Sequence, residues 1–425
     1  MKYHLFFSIL MFSVQAFSAT FSDADVNIKD DLFLDKSGTP ITGTIERKFP
    51  NGKLFLKIET ENGKTTQATM YYPNGHKRMQ DSASIIAYYH ADGTLANEVF
   101  RSGNTVVLEK GYYPNKKVAY EIPHTQNGTV GGTVKIYDYL SNTVLEERTY
   151  TSLPNPPEGM FNAIRDGLSK VWLPNKNIVS ETYENGILKT IGYHDKDGKE
   201  LRLAKQNVGA LPVQVWRQIS QDLSLSCNLT KGDAFSGLLI LEDGNELLQI
   251  TCENGVVDGW VRHTQKAHPW LISHTPYKQG KKHGTAIRYG THDLQIQTLT
   301  PYEKGEIEGV SYTFFADNQL ALEIPYKQSK PNGTIKQYMG QKGLFGSNMI
   351  ESEIPVKDGL YDGTAKIYDL IGEVIAEITY EKGKEIKVTP LKKEQNSSLK
   401  KDKNPPSKQD KKSKTSSPNQ KETKK

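Results

Sequence analysis

The sequence is short of large apolar side chains, nearly free of cysteine, and without a long hydrophobic run beyond its first residues. Hydrophobic residues, Tyr included, make up 36% of the 425 positions. Counted with Gly and without Tyr they reach roughly 39%, below the about 45–50% of ordinary globular domains. Such a deficit suits unstructured stretches, or a sheet that leaves much of one face in water. The one apolar run, Leu5 to Val14, follows Lys2 and precedes the small residues Ala16, Ser18 and Ala19. It is too short to span a bilayer and reads as a secretory signal peptide over residues 1–19. No Cys follows it, which disfavours an N-terminal lipid anchor. The expectation is a secreted or periplasmic chain with no transmembrane segment once mature.

Catalytic signatures are missing as well. There is no Ser nucleophile elbow, no His-Glu-x-x-His and no phosphate-cradling glycine loop. The chain is therefore read as a non-enzyme, with no catalytic residue, no cofactor and no metal. Five of the ten histidines, His263, His268, His274, His283 and His292, cluster in sequence, but their spacing matches no short zinc motif. They read as surface or turn residues. A turn at Gln265 to Pro269 would leave His263 and His274 several residues out of register, with Trp260 and Trp270 packed beside that hairpin.

Cys227 and Cys252 are the only cysteines, and a lone pair in an exported chain usually forms a disulfide. At equivalent repeat positions they would lie two strands apart, roughly 10 Å, beyond the reach of a bridge of about 7 Å. The longer unit CNLTKGDAFSG after Cys227 leaves room for a bulge that closes the gap, so a structural disulfide is expected.

Charge is unevenly spread. The net +5 includes a tail, Leu391 to Lys425, in which twelve Lys face four acidic residues for a net +8; removing that tail and Lys2 leaves −4 on the body. The tail from about Thr389 also lacks aromatics, so it is expected to be disordered, serving either as a solubilising tether or as a hold on an anionic polymer or surface. Specific nucleic-acid binding is not expected.

What the sequence has in abundance is a repeat. Cys252 opens CENGVVDG, Tyr277 YKQGKKHG, Tyr302 YEKGEIEG, Tyr326 YKQSKPNG, Val356 VKDGLYDG and Tyr380 YEKGKEIK. These starts fall 25, 25, 24, 30 and 24 residues apart, the long interval absorbing the insertion MGQKGLFGSN. Between them sits a second turn signal, as in FPNG at Phe49 or YPNG at Tyr72, where Asn and Gly accept positive φ. Intervening segments alternate as half-buried strands do: GTVKIYD at Gly132 and GTAKIYD at Gly363 agree residue by residue, and both lead into a strand ending Thr-Tyr.

These units resemble the MORN repeat, and with the intervening Tyr-x-Asn-Gly turn they are similar to the bacterial variant of YwqK-like, antitoxin-labelled proteins. The resemblance covers roughly residues 38–204 and 224–388. It departs from the pattern at Cys252, Val356, Ser329 and Lys387, which puts the strength of individual repeats in question. The fold expected is all-β: an elongated, single-layer antiparallel meander of hairpins, each marginal alone and stabilised by its neighbours. Repeated Tyr would form a cross-strand ladder standing in for a second layer.

The expected organisation is a signal peptide over 1–19, an N-terminal array over 20–204, a linker or short helix over 205–223, a C-terminal array over 224–388 and a tail over 389–425. Leu153 to Gly159 reads as a Pro-rich loop. Val213, Trp216, Ile219 and Leu223 share one helical face, although a degenerate strand pair is the alternative. The function expected is an exported, non-catalytic scaffold that meets a protein or the cell envelope. The alternatives are a secreted effector or antitoxin-like partner of a toxin, and a passive structural or adhesive envelope protein.

Overall fold

The computed structural model describes residues 19–153, 163–207, 227, 234–266, 271–290, 295–316, 318–340 and 349–391. These residues form long antiparallel meanders of hairpins with no α-helix and no closed barrel. An N-terminal sheet of fifteen described strands runs from Ala19–Ser22 to Ile187–His194, and a C-terminal sheet of eighteen runs from Leu203–Asn207 to Lys384–Pro390. Each begins with one parallel pairing, Ala19–Ser22 on Gly43–Lys48 and Leu203–Asn207 on Gly237–Asp243. The strand Leu203–Asn207 thus takes up the start of the expected linker. The helix positions Val213 to Leu223, most of the Pro-rich loop and the tail after Leu391 lie outside the described residues.

Each repeat closes on a two-residue turn with both residues at positive φ, such as Lys304 at 51° and Gly305 at 96°. That mirror-image turn matches the twist of the strands it joins. The second turn residue also does the stacking. Gly305 N–H donates to Lys282 O at 2.8 Å and Gly359 N–H to Pro331 O at 2.8 Å, so these repeat turns dock on the short return strand of the unit before them. At the departure from the pattern, Ser329 adopts φ 60° and keeps this bond, its N–H lying 2.9 Å from Ile307 O. Its Oγ then accepts from Ile307 N–H at 2.9 Å, a contact glycine lacks.

The last glycine of each unit has a different task. Gly284, Gly309, Gly333 and Gly363 all sit at positive φ against Pro276, Pro301, Pro325 and Pro355 respectively, the residue before each repeat start. A Cβ on Gly333 would lie 2.8 Å from Pro325 Cγ. These glycines divide the return segment into a two-residue strand and a six-residue strand, as in Lys281–Lys282 and Gly284–Tyr289.

The expected tyrosine ladder is interleaved. Tyr302 pairs with Gly284 on one side and Ile307 on the other, and Tyr326 with Gly309 and Pro331. Repeat tyrosines are thus two strands apart, too far for direct ring contact, and the residue between them fills the row. Lys282, for example, places its ammonium 5.1 Å from the Tyr302 ring.

Each sheet is a single layer, but the two share a core. Val134, Ile136, Val171 and Val179 from the first pack with Leu238, Ile240, Leu247, Ile287 and Leu299 from the second. A smaller cluster joins the turns, with Tyr72 and Ala91 against Leu320, Tyr338 and Met349. The same repeat turns opposite faces toward the other sheet in the two arrays. Ile136 of GTVKIYD points into the shared core, whereas in the C-terminal sheet the inward row runs from Arg262 through His274, Ile287, Leu299 and Tyr312 to Glu323, Lys336, Glu353 and Lys366. Lys366 therefore shares a face with the core-forming Ile287, and the inward row passes from apolar to alternating charge.

Candidate functional site

Cys227 and Cys252 are joined by a disulfide with Cα atoms 6.0 Å apart. The two-strand separation does not apply, because Cys227 is not a ladder member. It packs over the sheet with Leu239, Leu248, Ile250 and Val261, its N–H donating to Gly255 O at 3.1 Å. Leu238, Ile240 and Leu247 fill the opposite core, so both faces of the first long strands of this sheet are buried.

The histidine reading needs correction. Register pairs His274 with Arg262 and His263 with Ser273, one residue apart rather than several. His274 is completely buried, its ring edge-on to Trp260 with centroids 3.7 Å apart. Burial, reinforced by Arg262, holds its pKa well below the usual value, so it is neutral. His263 is half-buried and bonded to Glu246 at 2.7 Å. His268, His292 and Trp270 lie outside the described residues. Among the described residues no three His, Cys, Asp or Glu converge as a metal set, and no helix is long and apolar enough to cross a membrane.

His274 borders a charged cluster that the sequence does not announce. Glu146 and Arg148 from Val144–Ser152, Arg165, Glu181 and Arg262 are all at most 2% exposed. Arg148 grips both oxygens of Glu146, Nε to Oε1 and Nη2 to Oε2 at 2.9 Å each. From the other sheet Arg262 reaches Glu146 Oε1 at 2.9 Å and Glu181 Oε1 at 3.0 Å. Gln249 donates to Glu181, and Tyr183 donates to Glu181 Oε2 at 2.8 Å. Burial opposes ionisation of both carboxyls, yet Arg148 and Arg262 at Glu146, and Arg262 and Arg165 at Glu181, hold both below the ordinary carboxylate range. Among the described residues three guanidiniums face two carboxylates. The cluster is sealed, and it clasps the sheets rather than meeting a ligand.

A more accessible feature lies farther along the N-terminal sheet, where a cavity of about 340 Å³ opens between the sheets. Its floor is the inward row Met70, Met79, Tyr88 and Asn97, cross-strand neighbours on successive strands. Tyr72, Tyr89 and Val99 add apolar surface, and Arg78, Glu109 and, from the opposite sheet, Gln319 add polar groups. Asn97 is fixed in orientation: its Nδ2 donates to Glu109 Oε1 at 2.6 Å and to Tyr120 OH at 3.2 Å. Asn318 Nδ2 also donates to Tyr120 OH, at 3.3 Å, and Tyr120 OH donates to Glu109 Oε1 at 3.3 Å. Burial, with Glu109 adding to it, raises the Tyr120 pKa, which keeps this donor protonated. The Oδ1 atoms of Asn97 and Asn318 are left buried and unpartnered. Tyr72 opens the YPNG turn, but no sequence motif marks the other lining residues. The only hint is strict alternation that puts Met, Tyr and Asn on one face.

No family model and no curated protein matches the chain. Among solved structures it is similar to the crystal structure of TcdB2-TccC3-TEV, at 12% identity over 82% of this chain and 21% of that one, TM-score 0.15. It is also similar to TcdB2-TccC3 without its hypervariable C-terminal region, at 10% identity over 86% and 20%, TM-score 0.12. The chain spans about a fifth of the length of either, and at those TM-scores neither likeness bears on what it does.

Proposed function

We propose that this chain is an exported, non-catalytic repeat scaffold of MORN-like type that binds a protein or cell-envelope partner along its C-terminal array. The observation that carries the reading is the final strand, Lys384–Pro390, which among the described residues pairs on one side only. Its free edge offers backbone donors and acceptors to an added strand or extended segment. Beside it Leu360, Tyr361, Ile386 and Val388 are 43–54% exposed, so apolar contact area accompanies the hydrogen-bonding edge. A Lys-rich tail following directly would hold an anionic partner close to that edge.

Photo-crosslinking amino acids at Val388 and, as a control, at Thr66 test this in the native envelope. Saturable adducts at Val388, together with adducts from a second probe at Leu360 that vanish when residues 384–391 are deleted, support the scaffold. Equal labelling at Val388 and Thr66, or turnover of a small substrate by purified protein, overturns it. Export is read separately, from whether the mature chain begins after the leader.

A further inference from the structure

We propose that the cavity between the sheets binds a neutral saccharide ring. The wall formed by Glu109 and Asn97 offers acceptors: the Glu109 carboxylate and the Asn97 Oδ1, a buried amide oxygen that has no donor. Asn97 cannot relieve this by turning, since its Nδ2 is committed to Glu109 and Tyr120. A buried acceptor without a donor is costly, so an occupant carrying several O–H groups gains at this wall.

Charge narrows the class. Arg78 and Glu109 both line the space, so a cation meets the guanidinium and an anion meets the carboxylate. A neutral polyhydroxylated molecule can accept from one and donate to the other. Tyr72, Tyr88 and Tyr89 supply the remaining requirement, flat apolar surface for the C–H faces of a ring. The volume of about 340 Å³ is at the small end of ligand pockets, which run to about 300–1,000 Å³, and suits one or two rings rather than a long chain. An apolar occupant leaves the Asn97 Oδ1 unfilled. The assignment rests on the scaffold reading only for the source of the sugar, the cell envelope; the cavity chemistry stands apart from it.

Calorimetric titration of the purified full chain tests the proposal, using glucose, galactose, N-acetylglucosamine and its short oligomers. Tetramethylammonium and inorganic phosphate serve as charged probes, and cosedimentation with insoluble envelope polysaccharide separates polymer from free sugar. Saturable binding of at least one neutral saccharide is expected, weakened roughly tenfold by Glu109→Gln. Val99→Trp fills the space and should abolish binding with the thermal midpoint retained; if it unfolds, Asn97→Asp, which removes the two amide donations, gives the second reading. Binding of the charged probes alone, no saturable sugar, or affinities unchanged in Glu109→Gln and Asn97→Asp overturns the proposal. Loss of sugar binding with Val388 crosslinks intact removes only the saccharide site, whereas the reverse result removes only the scaffold.

Discussion

Arg262 Nη2 lies 2.9 Å from Glu146 Oε1, a bond between two sheets whose partners are 116 residues apart in the chain. It is the centre of a sealed cluster in which three guanidiniums serve two carboxylates. Among the described members the carboxylates are the fewer, and each meets more than one guanidinium.

Glu146→Gln leaves three buried guanidiniums with one carboxylate, and the expected loss is about 3–5 kcal/mol, the range for stripping one partner from a buried pair. Arg262→Met leaves two of each sign, Glu146 still gripped by Arg148 and Glu181 still near Arg165. Its cost should fall clearly below that of Glu146→Gln. Urea denaturation of both variants, read as midpoint and slope, checks the order; equal losses would show that charge balance does not govern the site.

Acid sensitivity should come in two stages. His274 has a folded pKa well below 6.5, so the unfolded chain takes up its proton first and stability falls as pH drops through 6.5. Glu146 and Glu181 are depressed in the folded state, so their contribution is complete above 4.5 and is lost as pH falls below it. Replacing His274 with Phe should flatten the stability profile between 6.5 and 4.5 and leave the lower limb in place. Thermal midpoints in steps across that range provide the measurement.

Ser329 is the case where a departure from the repeat is compensated locally. Ser329→Ala keeps the strained φ of 60° and loses the Oγ contact to Ile307 N–H, so a loss of about 1 kcal/mol is expected. Ser329→Gly trades that contact for an unstrained backbone and should lie within about 0.5 kcal/mol of the parent. Chemical denaturation distinguishes the two; a larger loss for Gly would show that the hydroxyl outweighs the backbone.

Cys227 packs over a face whose leucines are almost fully buried. With a sequence separation of 25 between the cysteines, Cys227→Ser with Cys252→Ser should cost about 3 kcal/mol. Hydrogen exchange should locate the loosening in Gly237–Asp243 and Glu246–Glu253 and spare the units after Tyr302. Uniform loosening across the C-terminal sheet would contradict that local role.

Hairpin order and turn positions were legible because turn chemistry is local. Asn, Asp and Gly at fixed offsets accept the positive φ that tight turns require, and the two GT-x-K-I-Y-D copies repeat one register. Which face would be covered was not legible. Ile136 and Ile367 hold equivalent places, yet only the first meets the other sheet, a choice set by packing between arrays more than a hundred residues apart. One clue was present in the paired copies: Glu146 and Arg148 stand where the second copy has Ala376 and Ile378. Charges on a repeat's apolar positions pointed to the clasp, but their partners Arg165, Glu181 and Arg262 come from other strands and could not be read locally. The proline before four of the six repeat starts was equally visible, and only its contact with the closing glycine explains why it recurs.

The docking of the repeat turns onto the unit before them gives the array a direction. Removing units from the carboxyl end takes away the amide that donates and leaves behind a surface carbonyl, which water fills. Excising a unit from the middle or the front strips an acceptor from the turn that follows and strands its N–H, the harder group to satisfy. Variants shortened from the far end should therefore remain well folded when equally short ones cut from the near side do not, so repeat number can change with least disturbance at the end that carries the free edge.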